Sequence, residues 1–255
     1  VVRGFVDPDV IHVDGKVDAH SDIETINTEL ILADMQTLEK ARTRIEKEVK
    51  GKKADPAALD TVDEALKALN DGTPLSATKI DLTLIKELGL LTAKPILYVF
   101  NVDESILTDP AKKQALADVV APAEAVFLDA KVESELIDLT AEEANELLES
   151  LGLGESGLDQ LARVGFRTLG LQTYLTAGPK EARAWTIRMG DKAPQAAGVI
   201  HTDFERGFIK AEIVSFADLD AAGSMADAKA AGKVRMEGKE YVMHDGDVVE
   251  FRFNV

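Results

Sequence analysis

A chain of 255 residues with 45% apolar content can bury a sizeable core in one to three domains. The absence of cysteine excludes disulfides and thiolate metal sites. Four scattered histidines make no zinc site, and no apolar run reaches the roughly eighteen residues of a membrane span. A net charge of −17 argues against a generic nucleic-acid binder, whose phosphate contacts need lysine and arginine.

Residues 1–18, VVRGFVDPDVIHVDGKVD, read as strand material that enters in mid-strand and ends near Val13. With no signal-peptide pattern there, a soluble, cytoplasmic protein is expected. Ser21 with Glu24 makes a capping box, and Ile23, Ile26, Leu30, Ala33, Leu38, Ala41, Ile45 and Val49 recur at helical spacing. This predicts a long helix over 21–49, ended by Gly51. Asp55 caps a second helix with Pro56 at its first position, and Leu59, Val62, Leu66 and Leu69 form its stripe. The short basic turn KGKKADP makes the pair an antiparallel hairpin, and its charged outer faces suit solvent or docking to a large partner.

From Ala93 the texture changes. AKPILYVFNV and AVFLDA (residues 125–130) read as buried strands, with helices between and after them, one capped by Thr140 and stopped by Gly152. That alternation predicts an α/β layer with a parallel sheet, into which the helical hairpin is inserted. ESGLDQLARVGFRTLGL reads as an amphipathic helix leading to a last module at 172–255. There EARAWTIRMG, FIKAEIVSF and KEYVMHDGDVVEFRFNV read as strands and SMADAKAAG as a helix ended by Gly232. HDGD is expected to turn a hairpin, giving a small α+β sheet covered by a helix on one side.

The apolar run ILYVF ends in Asn101, and Glu104 follows three residues later. Many nucleotide hydrolases finish the strand that reads the base in this way. A phosphate-binding loop Gly-x-x-x-x-Gly-Lys-Ser/Thr does not occur: the Gly-Lys pairs at Gly15, Gly51, Gly232 and Gly238 have Val10, Glu46, Asp227 and Lys233 at the first-glycine position, and none is followed by Ser or Thr. His12, His20 and His244 have no carboxylate or serine at useful spacing, so no catalytic residue is assigned. Asp245 and Asp247 flank Gly246 and read as turn formers rather than metal ligands. From Gln172 onward 11 basic residues face 13 acidic ones, so most of the negative charge lies earlier in the chain. Arg183, Arg188, Lys192, Arg206 and Lys210, with His201 among them, form a local basic excess able to meet phosphate oxygens. Trp185, the only tryptophan, sits in a strand pattern and reads as core.

TAGPKEARAWTIRMGDKAPQAAGVIHTDFERGFIKAEIVSF, with the ending DGDVVEFRFNV, resembles the C-terminal domain of the Obg-like ATPases, the YchF family of P-loop nucleotide hydrolases. DIETINTELILADMQTLEK, AKPILYVFNVDE and ESGLDQLARVGFRTLGL extend the resemblance over nearly the whole chain. It implies a G domain (1–18 and 93–171) interrupted by a helical coiled-coil domain (19–92), followed by a ubiquitin-like, β-grasp TGS domain (172–255). The family's phosphate loop is expected to precede Val1, so this chain alone is expected to be catalytically incomplete. Where Ras-like GTPases read Asn-Lys-x-Asp, this sequence reads Asn101, Val102, Asp103, Glu104. The family's similar departure goes with ATP over GTP, which carries base contact onto Asn101, Val102 and Glu104. The next base loop, normally Ser-Ala, is Asp129-Ala130. The resemblance further implies Mg²⁺ with the nucleotide, and a ribosomal RNA partner through the TGS domain and coiled coil, with no DNA or membrane. A second reading is a non-catalytic RNA- or ribosome-binding module made of the helical arm and the TGS domain.

Overall fold

The computed structural model describes residues 1–6, 17–178 and 181–254. The strand expected to end near Val13, His12 and the Gly15–Lys16 pair lie outside the described residues. Two compact units are present, Val1–Gly165 and Phe166–Val255.

In the first unit, β1 (Val2–Arg3) leads to α1 (Ala19–Lys50) and α2 (Pro56–Asn70). The helix begins two residues before the expected cap. Asp18, extended at φ −144°, accepts from Ser21 N at 3.3 Å, so Ser21 lies inside the first turn rather than before it. Asp55 and Pro56 open α2 as expected, Asp55 accepting from Ala57 N at 2.9 Å. Leu38, Ala41 and Ile45 of α1 pack against Ala58, Val62, Ala65 and Leu69 of α2, and short 3-10 turns at 75–77 and 83–88 add Leu75 and Ile85 to the same core. The outer faces carry exposed pairs such as Arg42–Asp63.

Then follow β2 (Leu97–Asn101), α3 (Glu104–Leu107), α4 (Pro110–Val120), β3 (Glu124–Leu128), α5 (Ala130–Ile137), α6 (Ala141–Ser150) and α7 (Gly157–Thr168). The strands form a parallel sheet in the order β1-β2-β3, in register from Leu97↔Glu124 to Asn101↔Leu128. Parallel strands need crossovers, and α3 and α4 supply the one between β2 and β3. Thr140 and Glu143 complete the capping box of α6, and Gly152, at φ +68°, ends that segment.

In the second unit, β4 (Leu171–Ala177) and β5 (Ala182–Arg188) are followed by α8 (Ala193–Ile200), α9 (Thr202–Arg206), β6 (Phe208–Ser215), α10 (Phe216–Ala222), α11 (Met225–Ala230), β7 (Arg235–Glu237) and β8 (Asp247–Phe253). The mixed sheet has the order β5-β4-β8-β6-β7. Two expectations fail here. HDGD does turn, with Gly246 at φ +77°, but 239–246 is not a strand and no hairpin forms. Asp245 Oδ1 accepts from Thr173 N at 2.7 Å, and buried Asp247 accepts from His244 N and the Tyr241 hydroxyl. The turn therefore delivers β8 beside β4 and β6. Helices also cover both faces rather than one. Ala193, Ala196 and Ala197 of α8 pack on Tyr174, Ile187 and Val249, while Val214 and Val248, on the other face, lie under Leu219, Met225 and Ala228. Adjacent residues of a strand point to opposite faces, so two buried neighbours, Val248 and Val249, require two cores.

Candidate nucleotide-base site and basic surface

The ends of the three parallel strands converge on one cleft of about 230 Å³. Phe5 and Val6 follow β1, Asn101, Val102 and Asp103 close β2, and Asp129, Ala130 and Lys131 follow β3. Ligands of open parallel sheets bind beyond the carboxyl ends of the strands, and this cleft occupies that place.

Asn101 holds two of these segments together: its Oδ1 accepts from Ala130 N at 3.1 Å, tying the end of β2 to the first residue of α5. Among the described residues its amide N–H groups have no partner, which leaves them for a ring nitrogen or carbonyl. Val102 is only 1% exposed, packed with Phe100, Leu107 and Val120, and its N–H donates to Leu128 O at 2.9 Å. It can therefore offer a ligand only its carbonyl. Gly4 allows this packing, since a Cβ there would lie 2.8 Å from Val102 Cγ1.

Asp103 and Glu104 divide the remaining work. Asp103 caps α3, accepting from Ile106 N (3.2 Å) and the Ser105 hydroxyl (2.6 Å). Glu104 is exposed on the first turn and lies outside the residues lining the cleft. Its carboxylate has no hydrogen-bond partner among the described residues. Asp129 caps α5 by accepting from Lys131 N at 2.8 Å. Lys131, Phe5 and Val6 are cleft residues that the sequence reading did not find, because nothing local marks them. Among the described residues no cluster of three or more His, Asp or Glu could hold a metal.

The basic residues of the second unit do not form one patch. Arg183 lies over the Trp185 ring at 4.2 Å, while the indole N–H bonds Thr176 Oγ1 at 2.9 Å. Arg188, five residues on, points to the opposite face of β5. Lys192 pairs with Glu240 at 2.6 Å. His201 caps α9 through Nδ1, accepting from Asp203 N at 3.2 Å. Arg206 and Lys210 are exposed, Lys210 opposite Arg252. Lys229 and Arg252 hold the Glu212 carboxyl below its ordinary pKa, so those two cations are already engaged.

Over its whole length the chain is 51% identical to the ribosome-binding ATPase YchF of Bacillus subtilis, covering 72% of that protein. The chain belongs to the YchF family of Obg-like ATPases. It is also 44% identical to the YchF of Escherichia coli O157:H7, again covering 72%, and 39% identical to the Obg-like ATPase 1 of Gallus gallus, covering 67%. The family model YchF-GTPase_C, described as a protein of unknown function (DUF933), matches residues 171–254. The solved YchF GTPase of Schizosaccharomyces pombe superposes on 98% of the chain with a TM-score of 0.81 at 34% identity, the chain covering 70% of it. A GTP-binding protein from Pyrococcus horikoshii OT3, with a TM-score of 0.60 at 18% identity, shares the fold. Among the described residues no helix is long and apolar enough to cross a membrane.

Proposed function

We propose that this chain forms the base-reading, helical-arm and C-terminal parts of a ribosome-associated YchF-type ATPase that favours ATP over GTP. The observation that carries the reading is Asn101, which closes the strand-end cleft onto Ala130 and keeps its amide N–H groups for a base. The names of the relatives, ribosome-binding ATPase and Obg-like ATPase, support the class. On this reading 1–18 and 93–171 are G-domain parts, 19–92 is the coiled-coil arm, and 172–255 is a β-grasp TGS domain. The protein acts in the cytoplasm.

The phosphates and their Mg²⁺ need a Gly-rich loop ending in Gly-Lys-Ser/Thr, and no such motif occurs in residues 1–255. The residues present therefore fit the base but not the metal, and no catalytic step is drawn through them. Residues 1–255 alone are expected to bind ATP weakly, because the base supplies few contacts without the triphosphate electrostatics. Isothermal titration with ATP and Mg²⁺ checks this, and micromolar affinity would defeat it.

Ribosomal RNA is the partner this reading gives the second unit. Arg206 and Lys210, exposed and without an ion pair among the described residues, are its best phosphate contacts, ahead of Lys192, which Glu240 neutralises. Reversing both to glutamate is expected to weaken ribosome co-sedimentation and to make the slope of log K against log salt shallower by roughly one per lost contact. Association that ignores both salt and the reversal would mean protein contacts instead.

A further inference from the structure

Among the described residues the outer edge of β5 has no strand partner. The strand is seven residues long, contains no proline, and pairs with β4 without a bulge from Leu171↔Arg188 to Ala177↔Ala182. The opposite edge of the sheet, β7, is only three residues long. Natural sheets shorten, bulge, cover or charge their edges, and of these devices β5 carries only charge, through Arg183 and Arg188 near its two ends.

The register also fixes which backbone groups are open. Gly178 N donates to Glu181 O and Met189 N to Gly170 O, so the close-paired positions at both ends of the ladder share one parity. Arg183, Trp185 and Ile187 therefore exchange hydrogen bonds with β4. Ala182, Ala184, Thr186 and Arg188 turn their N–H and C=O groups outward. Arg188 N is taken by Asp191 Oδ2 at 2.9 Å. Ala182, Ala184 and Thr186 are exposed, and among the described residues their N–H groups have no partner. Three small side chains thus carry the open donors and acceptors, and nothing bulky bars a neighbouring backbone.

We propose that this edge accepts an extended acidic segment of a partner protein as an additional strand. Arg183, held over Trp185, and exposed Arg188 stand near the two ends of the edge, one on each face. Glu181 at the turn and Asp191, which accepts from Arg188 N, lie close by, but among the described residues neither forms an ion pair with either arginine. A second copy of the chain would bring two arginine-bearing strands and two net charges of −17 together. RNA could meet the arginines, but it offers no regular row of N–H groups to the outward carbonyls. The inference is independent of the nucleotide reading.

The probe is the blocked peptide Glu-Val-Glu-Val-Glu-Val-Glu, titrated into the full chain and followed by Trp185 emission and by amide exchange. Binding is expected to slow exchange at Ala182, Ala184 and Thr186 at least tenfold. The same peptide with alternate amides N-methylated should lose that effect. Ala184→Pro removes an outward N–H that β4 does not use, and should weaken binding at least tenfold while Ala184→Val keeps it. If the proline variant does not fold, the methylated peptide decides. The proposal is overturned if no peptide binding is seen, if the methylated peptide binds as well, or if an RNA oligonucleotide gives the same protection. A dimer in light scattering that the peptide fails to dissociate would assign the edge to a second copy and overturn it too.

Discussion

Replacing Asp34 by alanine is expected to lower the stability of the Val1–Gly165 unit by about 3–5 kcal/mol, the cost of leaving several buried donors unpaired. Asp34 is 2% exposed on α1, and its carboxylate is fully used. Oδ1 accepts from Leu91 N at 2.8 Å, and Oδ2 accepts from Thr92 N and Thr92 Oγ1, both at 2.7 Å. Three donors would be orphaned at once, each costing about 1–3 kcal/mol in isolation, with water entering the vacated space offsetting part. The loss reaches function through position, because residues 91 and 92 lie just ahead of β2, whose last residue is Asn101. Denaturation followed by far-UV circular dichroism reads the change in the helical hairpin directly. Breaking the Arg42–Asp63 pair is the control: both side chains are about half exposed, so water screens the pair and its loss is expected to change stability far less. A loss below about 1 kcal/mol for Asp34→Ala would mean that water replaces the carboxylate, and the clamp would be dispensable.

Asp34 also shows where sequence reading stops. It falls in a helical stretch, and its partners lie 57 and 58 residues away, so nothing local distinguishes it from the solvated acids around it. Local chemistry was legible. Asp55 before Pro56, Thr140 with Glu143 and Gly152 do what their residue types dictate, because caps and stops act within one turn. Competition between local signals was not. Asp18 and Ser21 both suit an N-cap, and only the path of the chain chose Asp18. Asp245-Gly246 turns as the dipeptide requires, yet the strand it feeds was claimed by β4 and β6, a choice made by long-range pairing. In the cleft, Asn101 was found through its strand, whereas Phe5 and Lys131 arrive from segments about a hundred and about thirty residues distant. The burial of Val102 was within reach, since Phe100 and Val102 share one face at the strand period of two.

The full-length protein is expected to bind ATP more tightly than GTP, and Glu104→Asp to move the ratio toward GTP by about tenfold. Guanine presents two adjacent N–H donors to a carboxylate, whereas adenine has a ring acceptor at the corresponding position. In the GTPase pattern an aspartate three residues after the asparagine meets both donors. Glu104 stands at that spacing with one methylene more, on the exposed first turn of α3, and no protein group among the described residues holds its carboxylate. Shortening it restores the side-chain length that the GTPase pattern uses at this spacing, beside the cleft that Asn101 and Asp129 border. One charge-assisted hydrogen bond is worth about 1.5–3 kcal/mol, and about 1.4 kcal/mol is tenfold in affinity. The companion change, lysine at Val102, is unsuitable because it would drive an ammonium into the packing of Phe100, Leu107 and Val120. Asp129 limits the gain, since it caps α5 with its carboxylate where the GTPase pattern has a hydroxyl donor. The measurement is the pair of Kd values, ATP and GTP, for the wild type, Glu104→Asp and Glu104→Ala. If the ratio stays within about twofold in all three, Glu104 does not select the base, and selection passes to the groups that do line the cleft: the amide of Asn101, the carbonyl of Val102 and the side chains of Asp129 and Lys131.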